Sequence, residues 1–434
     1  MRLEPVIVGL LFAFASTAAT NPSPVTFTKD VAPVLQKNCQ GCHRPGEAAP
    51  FSLLTYEQAR PWAKAIKEAV LLKKMPPWLA DPHYGKFSND RSLSQKDIDT
   101  LVAWSDAGAP QGDPKDMPPP ASFVEGWRIP KPDVVFEMPV AFEIPAAGTI
   151  EYQYVVVPTG FTEDKWVQLA EARPENRQLV HHIIAFIREP GSKWLKDAQP
   201  GVPFVPKKNK DGEKDDGGRA GDALAGYAPG TVPTQLEPGQ AKLVKAKSDI
   251  VFQMHYTANG HAGTDRSKVG LIFAKEPPKE RVFTLAAAKG DFKIPPGDPN
   301  YRVDSEFEMG TQVKLTGLLP HMHLRGKDFE YRLVYPTGET ETILSVPRYS
   351  FSWQLSYYPV KPIVLPKGTK IECTAHFDNS ANNPGNPDAT KEVTWGDQSW
   401  DEMMIGFFDV AFDAKMPLKS LFPEKKDEKK AGGD

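Results

Sequence analysis

From residue 133 onward, breaks in the chain come too often for long helices. Proline accounts for 43 of 434 residues, about twice the usual share. Each proline fixes φ and lacks an N–H, which suits turns and strand ends. Between the breaks lie short apolar or alternating runs at 149–157, 180–187, 249–257, 269–274, 311–318, 329–335 and 369–377. Turn residues separate them and no long helical periodicity intervenes, so the pattern predicts antiparallel β-sandwiches. A 40% hydrophobic composition supplies cores for two or three domains. A net charge of −3 gives no reason to expect nucleic acid or an anionic membrane surface as a partner.

The first residues have the layout of a secretory signal peptide: Arg2, an apolar run from Val6 to Ala15, then the small residues Ser16 to Ala19. We expect residues 1–20 to direct export and the mature chain to be periplasmic or secreted, with no membrane span. Of the 3 cysteines, Cys39 and Cys42 belong to Cys39-Gln40-Gly41-Cys42-His43, and Cys373 has no partner, so no structural disulfide is expected. Cys373 shares a strand face with Ile371, Ala375 and Phe377 and reads as a buried small hydrophobe.

Cys-x-x-Cys-His is the attachment signature of a c-type haem: both thiols bind the porphyrin and His43 ligates iron. A zinc cage would need a second cysteine pair. Pro61 to Lys74 reads as an amphipathic helix with Ala63, Ile66, Val70 and Leu71 on its apolar side. It stops at Met75-Pro76-Pro77, where proline pushes Met75 out of helical geometry and presents its thioether as a candidate distal ligand. His83 is the competing candidate and reads as a surface loop residue. Ser94 caps a further helix through Ile98, Leu101, Val102 and Trp104 to about Gly108. Residues 24–112 thus resemble a small class I-like cytochrome c domain, which implies one covalently attached haem. The proline-rich residues 113–132 read as a linker, the charged, glycine-rich residues 207–221 as a surface loop, and 416–434 as a charged tail.

The chain has 9 histidines, and several fall inside the β runs. His321 and His323 flank Met322. On a strand they point the same way and can grip one ion while Met322 faces the opposite side. They keep the parity of Val313 and Leu315, the apolar face, and Pro320 places them near a strand end. His181 and His182 are adjacent, so a regular strand would aim them to opposite faces. Joint binding requires a kink or different ring nitrogens. His255 shares a face with Gln253, opposite Ile250, Phe252 and Met254. Imidazoles with a thioether suit copper; histidine alone suits copper or zinc. His376 reads as substrate-facing, as a neighbour of the ligands or as a surface residue, and His261 as a loop residue.

His181-His182, Gln253-x-His255, His321-x-His323 and Asp401-Glu402-Met403, in that order, resemble the ligand set of the copper type II, ascorbate-dependent monooxygenases, the family of peptidylglycine α-hydroxylating and dopamine β-monooxygenases. The resemblance covers about residues 130–415. It implies two jelly-roll-like β-sandwich domains, here 133–280 and 281–415, with one copper ion each. His181, His182 and His255 would hold the electron-transfer copper; His321, His323 and Met403 the copper that meets O2. Strand alternation does not choose between Met403 and Met404, and only the family motif favours Met403. The reaction implied is hydroxylation of a C–H bond of a small organic substrate.

Two positions depart from the family's peptide-amidating members. Leu319 stands where they have arginine and Phe407 where they have tyrosine, so a neutral or apolar substrate is expected rather than a peptide carboxylate. The haem domain suggests that electrons reach copper through it, from ascorbate or a redox protein. The alternative is a non-hydroxylating haem and copper electron-transfer or copper-binding protein.

Overall fold

The computed structural model of the protein describes residues 24–206 and 222–424. The expected export segment, the 207–221 loop and the end of the tail lie outside the described residues. The structure is mostly β, with several antiparallel sheets and a few short helices near its start. Among the described residues no helix is long and apolar enough to cross a membrane.

Each run singled out in the sequence overlaps a strand: Gln153–Pro158, Val180–Arg188, Asp249–Tyr256, Lys268–Phe273, Val313–His321, Gly326–Val334 and Lys370–Phe377, the first starting four residues later than expected. Strands of weaker pattern complete the sheets, among them Lys165–Arg173, Glu280–Lys289, Tyr301–Glu308 and Met404–Asp413. One sheet of nine strands runs through both β units. Its halves join where Gln240 and Ala241 pair in parallel with Glu280 and Arg281.

The first half of that sheet faces a four-stranded sheet that includes Val180–Arg188 and Asp249–Tyr256. Val155, Ile183, Phe252 and Leu271 fill the core between them. The second half faces Tyr301–Glu308, Lys370–Phe377, Gly326–Val334 and Thr340–Val346 over Leu315, Tyr331, Ile371, Cys373 and Phe408. Burying each large apolar side chain stabilises by roughly 1.5–3 kcal/mol, which fixes the face each strand turns inward.

Two β-bulges decide where the histidines point. In Val180–Arg188 the register against Asp249–Tyr256 slips between Val180 and His182, leaving His181 without a cross-strand partner. In Val313–His321 it slips between Leu315 and Gly317. The expected shared parity of His321 and His323 with Val313 and Leu315 is therefore wrong. The extra residue, Thr316, reverses the alternation, so Leu318 and Met322 join the core with Leu315 and the histidines face out of it. Pro320 lies beyond Leu315, where the pairing with Ile363–Leu365 ends, so a residue without an N–H is tolerated.

The helical segment closes on its own core of Phe27, Leu35, Leu101 and Trp104. Ser94 caps Gln95–Asp106, its hydroxyl accepting from Asp97 N at 3.2 Å. The expected 61–74 helix is shorter, Ala63–Leu71, and Leu71 is exposed. Ala63, Ile66 and Val70 form the buried stripe, and Leu71 lies one residue round the helix from it. The proline-rich 113–132 segment is pinned along its length. Gln36 Nε2 donates to Pro119 O at 2.9 Å, and the N–H groups of Arg128 and Ile129 donate to Glu171 Oε2 at 2.7 and 3.1 Å. The start of the expected tail is also packed: Leu418–Leu421 forms a 3-10 turn and Leu421 is buried.

Candidate metal centres

His182 lies directly opposite His255 across the ladder, and the bulge turns His181 to the same side. The three Nδ1 atoms converge, with His181 at 3.1 Å from His182 and 3.1 Å from His255, and 3.4 Å closing the triangle. The sequence left open a kink or different ring nitrogens; here a kink brings the same nitrogen of all three rings together. Three imidazole nitrogens at about 2.0–2.1 Å from one ion, at tetrahedral angles, would lie about 3.3–3.4 Å apart. Burial holds all three imidazoles neutral, lowering His181 to about 4 and the other two well below the usual histidine range. Neutral imidazoles are the ligating form. Three lone pairs aimed at one point repel unless a cation sits among them, so the donor set fits a metal ion.

His321 and His323 are buried, their ring centroids 5.1 Å apart. Each engages Nδ1 with the protein: His321 with Gln354 Oε1 at 2.7 Å, His323 with Asp401 O at 3.2 Å. Donation from Nδ1–H leaves Nε2 as the lone-pair nitrogen, and His323 Nε2 is buried without a hydrogen-bond partner. Burial lowers His321, and His323 to about 3. The backbone from His323 to Arg325 is clamped by buried Glu402, whose oxygens accept from His323 N at 2.8 Å and Arg325 N at 2.6 Å. Arg325, itself buried, donates to Asn379 Oδ1 at 2.8 Å.

The structure separates the two methionines. Met404 is fully buried in the second β core, where its sulfur accepts from Ser305 Oγ at 3.2 Å. Ile405 lies opposite His321 in the ladder, so alternation puts half-buried Met403 on the histidine side.

The histidine triad and the His321–His323 pair lie on the outward faces of the two β units, and two aromatic rings stand between them. Tyr152 is 4.6 Å from the His255 ring and 6.3 Å from that of His323, centroid to centroid. Those two imidazoles can be no farther apart than the two distances laid end to end, about 10.9 Å. Phe351 lies 5.1 Å from His181, nearly parallel to it, and 6.0 Å from His323. No sequence signal marks Phe351, Tyr152 or Gln354. Glu402 stands inside a recognised motif, but its grip on the His323 backbone is legible only in three dimensions.

At the start of the chain, Cys39, Cys42 and His43 follow the Ala32–Asn38 helix. The cysteines are unpaired, and burial pushes the Cys39 thiol up to about 12. A thiol that resists ionisation is poorly suited to a redox dithiol. His43 Nδ1 lies 3.3 Å from Phe51 O, which leaves Nε2 free for iron. These residues fit a c-type haem. Met75 is half-buried just past the Ala63–Leu71 helix, outside the helical core. Trp78 to Ala80, which follow it, pack on the second β core. His83 is exposed and held by Asp81 at 2.6 Å. His376 pairs with Asp328 at 2.6 Å, on the sheet face opposite Cys373 and Ala375 and so away from both histidine groups. His261 is exposed.

No family model matches the chain, and no curated protein matches it. Solved structures with partial similarity include infectious bursal disease virus VP2, at 11% identity and a TM-score of 0.19 over 65% of this chain and 60% of that one. The chain thus spans less than two thirds of that protein. PBCV-1 VP54 is similar at 8% identity and a TM-score of 0.20, over 68% of this chain and 100% of that one. TM-scores this low carry no functional argument.

Proposed function

We propose that the protein is an exported copper-dependent monooxygenase that hydroxylates a C–H bond of a small, neutral or apolar substrate with O2, drawing electrons through a c-type haem bound to its helical segment. The observation that carries this reading is the pairing of two different nitrogen sites, bridged by Tyr152, whose His255 and His323 rings lie within about 10.9 Å of each other. One is a three-nitrogen cage. The other has two imidazoles whose Nδ1 atoms are held by the protein, with Met403 on the same side of the strand. Balance requires two electrons and two protons for each O2, giving an alcohol and water. Copper held at these residues would supply one-electron chemistry, and a thioether ligand would favour its reduced form.

The chain's residues do the positioning. Gln354 and Asp401 O fix the His321 and His323 rings, and Glu402 holds the turn that carries them. Two jelly-roll-like sandwiches are the architecture this reading implies. A cavity of about 100 Å3 between the β units is lined by Ile184, Phe186, Leu319 and Phe407, with the buried Lys242 at one side. Phe407 is 6.2 Å from the His321 ring, so the walls nearest that site suit an apolar substrate.

The test is copper and iron content per chain in protein matured in a haem-c-competent host, followed by O2 uptake after reduction. Two coppers and one haem iron, with the haem reoxidising as O2 and substrate are consumed, support the reading. A haem that stays reduced under those conditions refutes the electron route, and one haem iron without copper refutes the enzyme.

A further inference from the structure

The cavity between the β units has a polar floor at one end. Its apolar walls Leu319 and Phe407 lie opposite each other on neighbouring strands, and one rung further from His321 Gly317 lies opposite Asp409 on the same face. Gly317 has no side chain, so the space over Asp409 stays open. A Cβ there would stand 3.2 Å from Asp409 Oδ2 and 3.4 Å from the Tyr358 ring. Lys242, on the Gln240–Val244 strand, and Thr284, on Glu280–Lys289, complete the floor.

The hydrogen-bonding groups of this floor are not all used. Thr284 Oγ1 donates to Asp409 Oδ1, whereas Asp409 Oδ2 accepts from no donor among the described residues. Lys242 Nζ donates to Asp222 Oδ1 and to Thr284 Oγ1, each at 3.0 Å, and stands 3.8 Å from Asp409 Oδ1, beyond hydrogen-bond reach. An ammonium carries three N–H donors, so one is left over. Lys242 is 3% exposed, and a donor buried so deeply costs free energy while it goes unanswered. The floor therefore offers one acceptor and one donor side by side at the end of an apolar cavity. A hydroxyl answers both through a single oxygen. A carboxylate has no proton to give and meets the charges of Asp409 and Asp222. An ammonium accepts nothing and stands against Lys242.

We propose that this floor binds the hydroxyl of an aliphatic alcohol, with Asp409 Oδ2 accepting from it and the Lys242 ammonium donating to it, while the apolar body of the alcohol lies along Leu319 and Phe407 toward His321. That the alcohol is the substrate rests on the monooxygenase reading above. Four residues separate Gly317 from His321, about 13 Å along an extended strand, so the floor holds the end of the substrate remote from the histidines. Oxidation at the other end turns the alcohol into a diol: a C–H bond becomes C–O–H, and the second oxygen atom of O2 leaves as water with the two electrons and two protons already counted.

The experiment is equilibrium dialysis of 1-hexanol, hexylammonium and hexanoate against the full chain after chelation of copper, so that amine and carboxylate groups cannot bind the metal. Wild type is compared with Gly317→Ala, which puts a methyl group where the hydroxyl would lie, and with Asp409→Asn, which keeps the shape of the floor should Gly317→Ala fail to fold. Wild type is expected to hold 1-hexanol about tenfold more tightly than either ion. Gly317→Ala should lose about tenfold in affinity for 1-hexanol, and Asp409→Asn should narrow the gap between 1-hexanol and hexanoate. An alcohol held no more tightly than the ions, or unaffected by both substitutions, overturns this inference and leaves the copper and O2 results standing. Preference for 1-hexanol in a chain that takes up no copper supports the alcohol site and overturns its role as a substrate anchor.

Discussion

Glu402 accepts hydrogen bonds from two buried backbone N–H groups of the turn that carries His323 and Arg325. Removing it orphans both donors and leaves Arg325 buried with less compensating charge. We expect Glu402→Ala to destabilise by about 2–4 kcal/mol and to weaken metal uptake at His321 and His323. Urea unfolding and copper titration check the two effects separately. His182→Ala should remove one bound metal ion per chain and leave the other, as metal analysis would show. The buried imidazoles also predict a pH dependence. In the unfolded chain they protonate near pH 6.5, whereas burial keeps His181 neutral to about 4 and His323 to about 3. The unfolded state therefore binds more protons in that window. In the metal-free protein the contribution of these imidazoles to stability should be fully present above the ordinary histidine value and be lost as pH falls toward 4, by up to about 1.4 kcal/mol per pH unit for each group. A melting temperature that stays flat from pH 6.5 to 4 would contradict this.

At the scale of strands, alternation was legible wherever one face is buried and the other is not, as in Lys370–Phe377, whose Ile371, Cys373, Ala375 and Phe377 all face the core. Met404–Asp413 escaped because both of its faces are covered, so its apolar run has no period. The bulges at His181 and Thr316 were not legible either. One extra residue reverses parity without changing composition, and both histidine groups owe their direction to such a reversal. What the sequence did expose was which histidines belong together; what it hid was which side they would face. Close packing between layers gives a further prediction. A Cβ on Gly406 would collide with Cys373 Sγ and come within 3.0 Å of Tyr331. Gly406→Ala should cost about 1–3 kcal/mol. Adding Cys373→Ala should recover part of that loss, because the pair shares one contact; a double-mutant cycle with no coupling would refute the packing described.

At the scale of the whole molecule, the two β units are held in one arrangement by a continuous sheet and by Lys242. The Lys242 ammonium donates to Asp222 Oδ1 at 3.0 Å within the first unit and to Thr284 Oγ1 at 3.0 Å in the second. Such a buried bridge is costly to break from one side, so the two histidine groups should keep their separation in solution rather than swing apart. Tyr152 and Phe351 fill the space between them. With divalent copper as a spin probe, two ions at this range should couple through space. The doubly loaded protein should show dipolar broadening in its electron paramagnetic resonance spectrum, absent from His182→Ala and His323→Ala, which each keep one site. A doubly loaded spectrum equal to the sum of the two singly loaded ones would mean that the units open in solution. The short route between the sites would then require a closing motion before electrons could cross it.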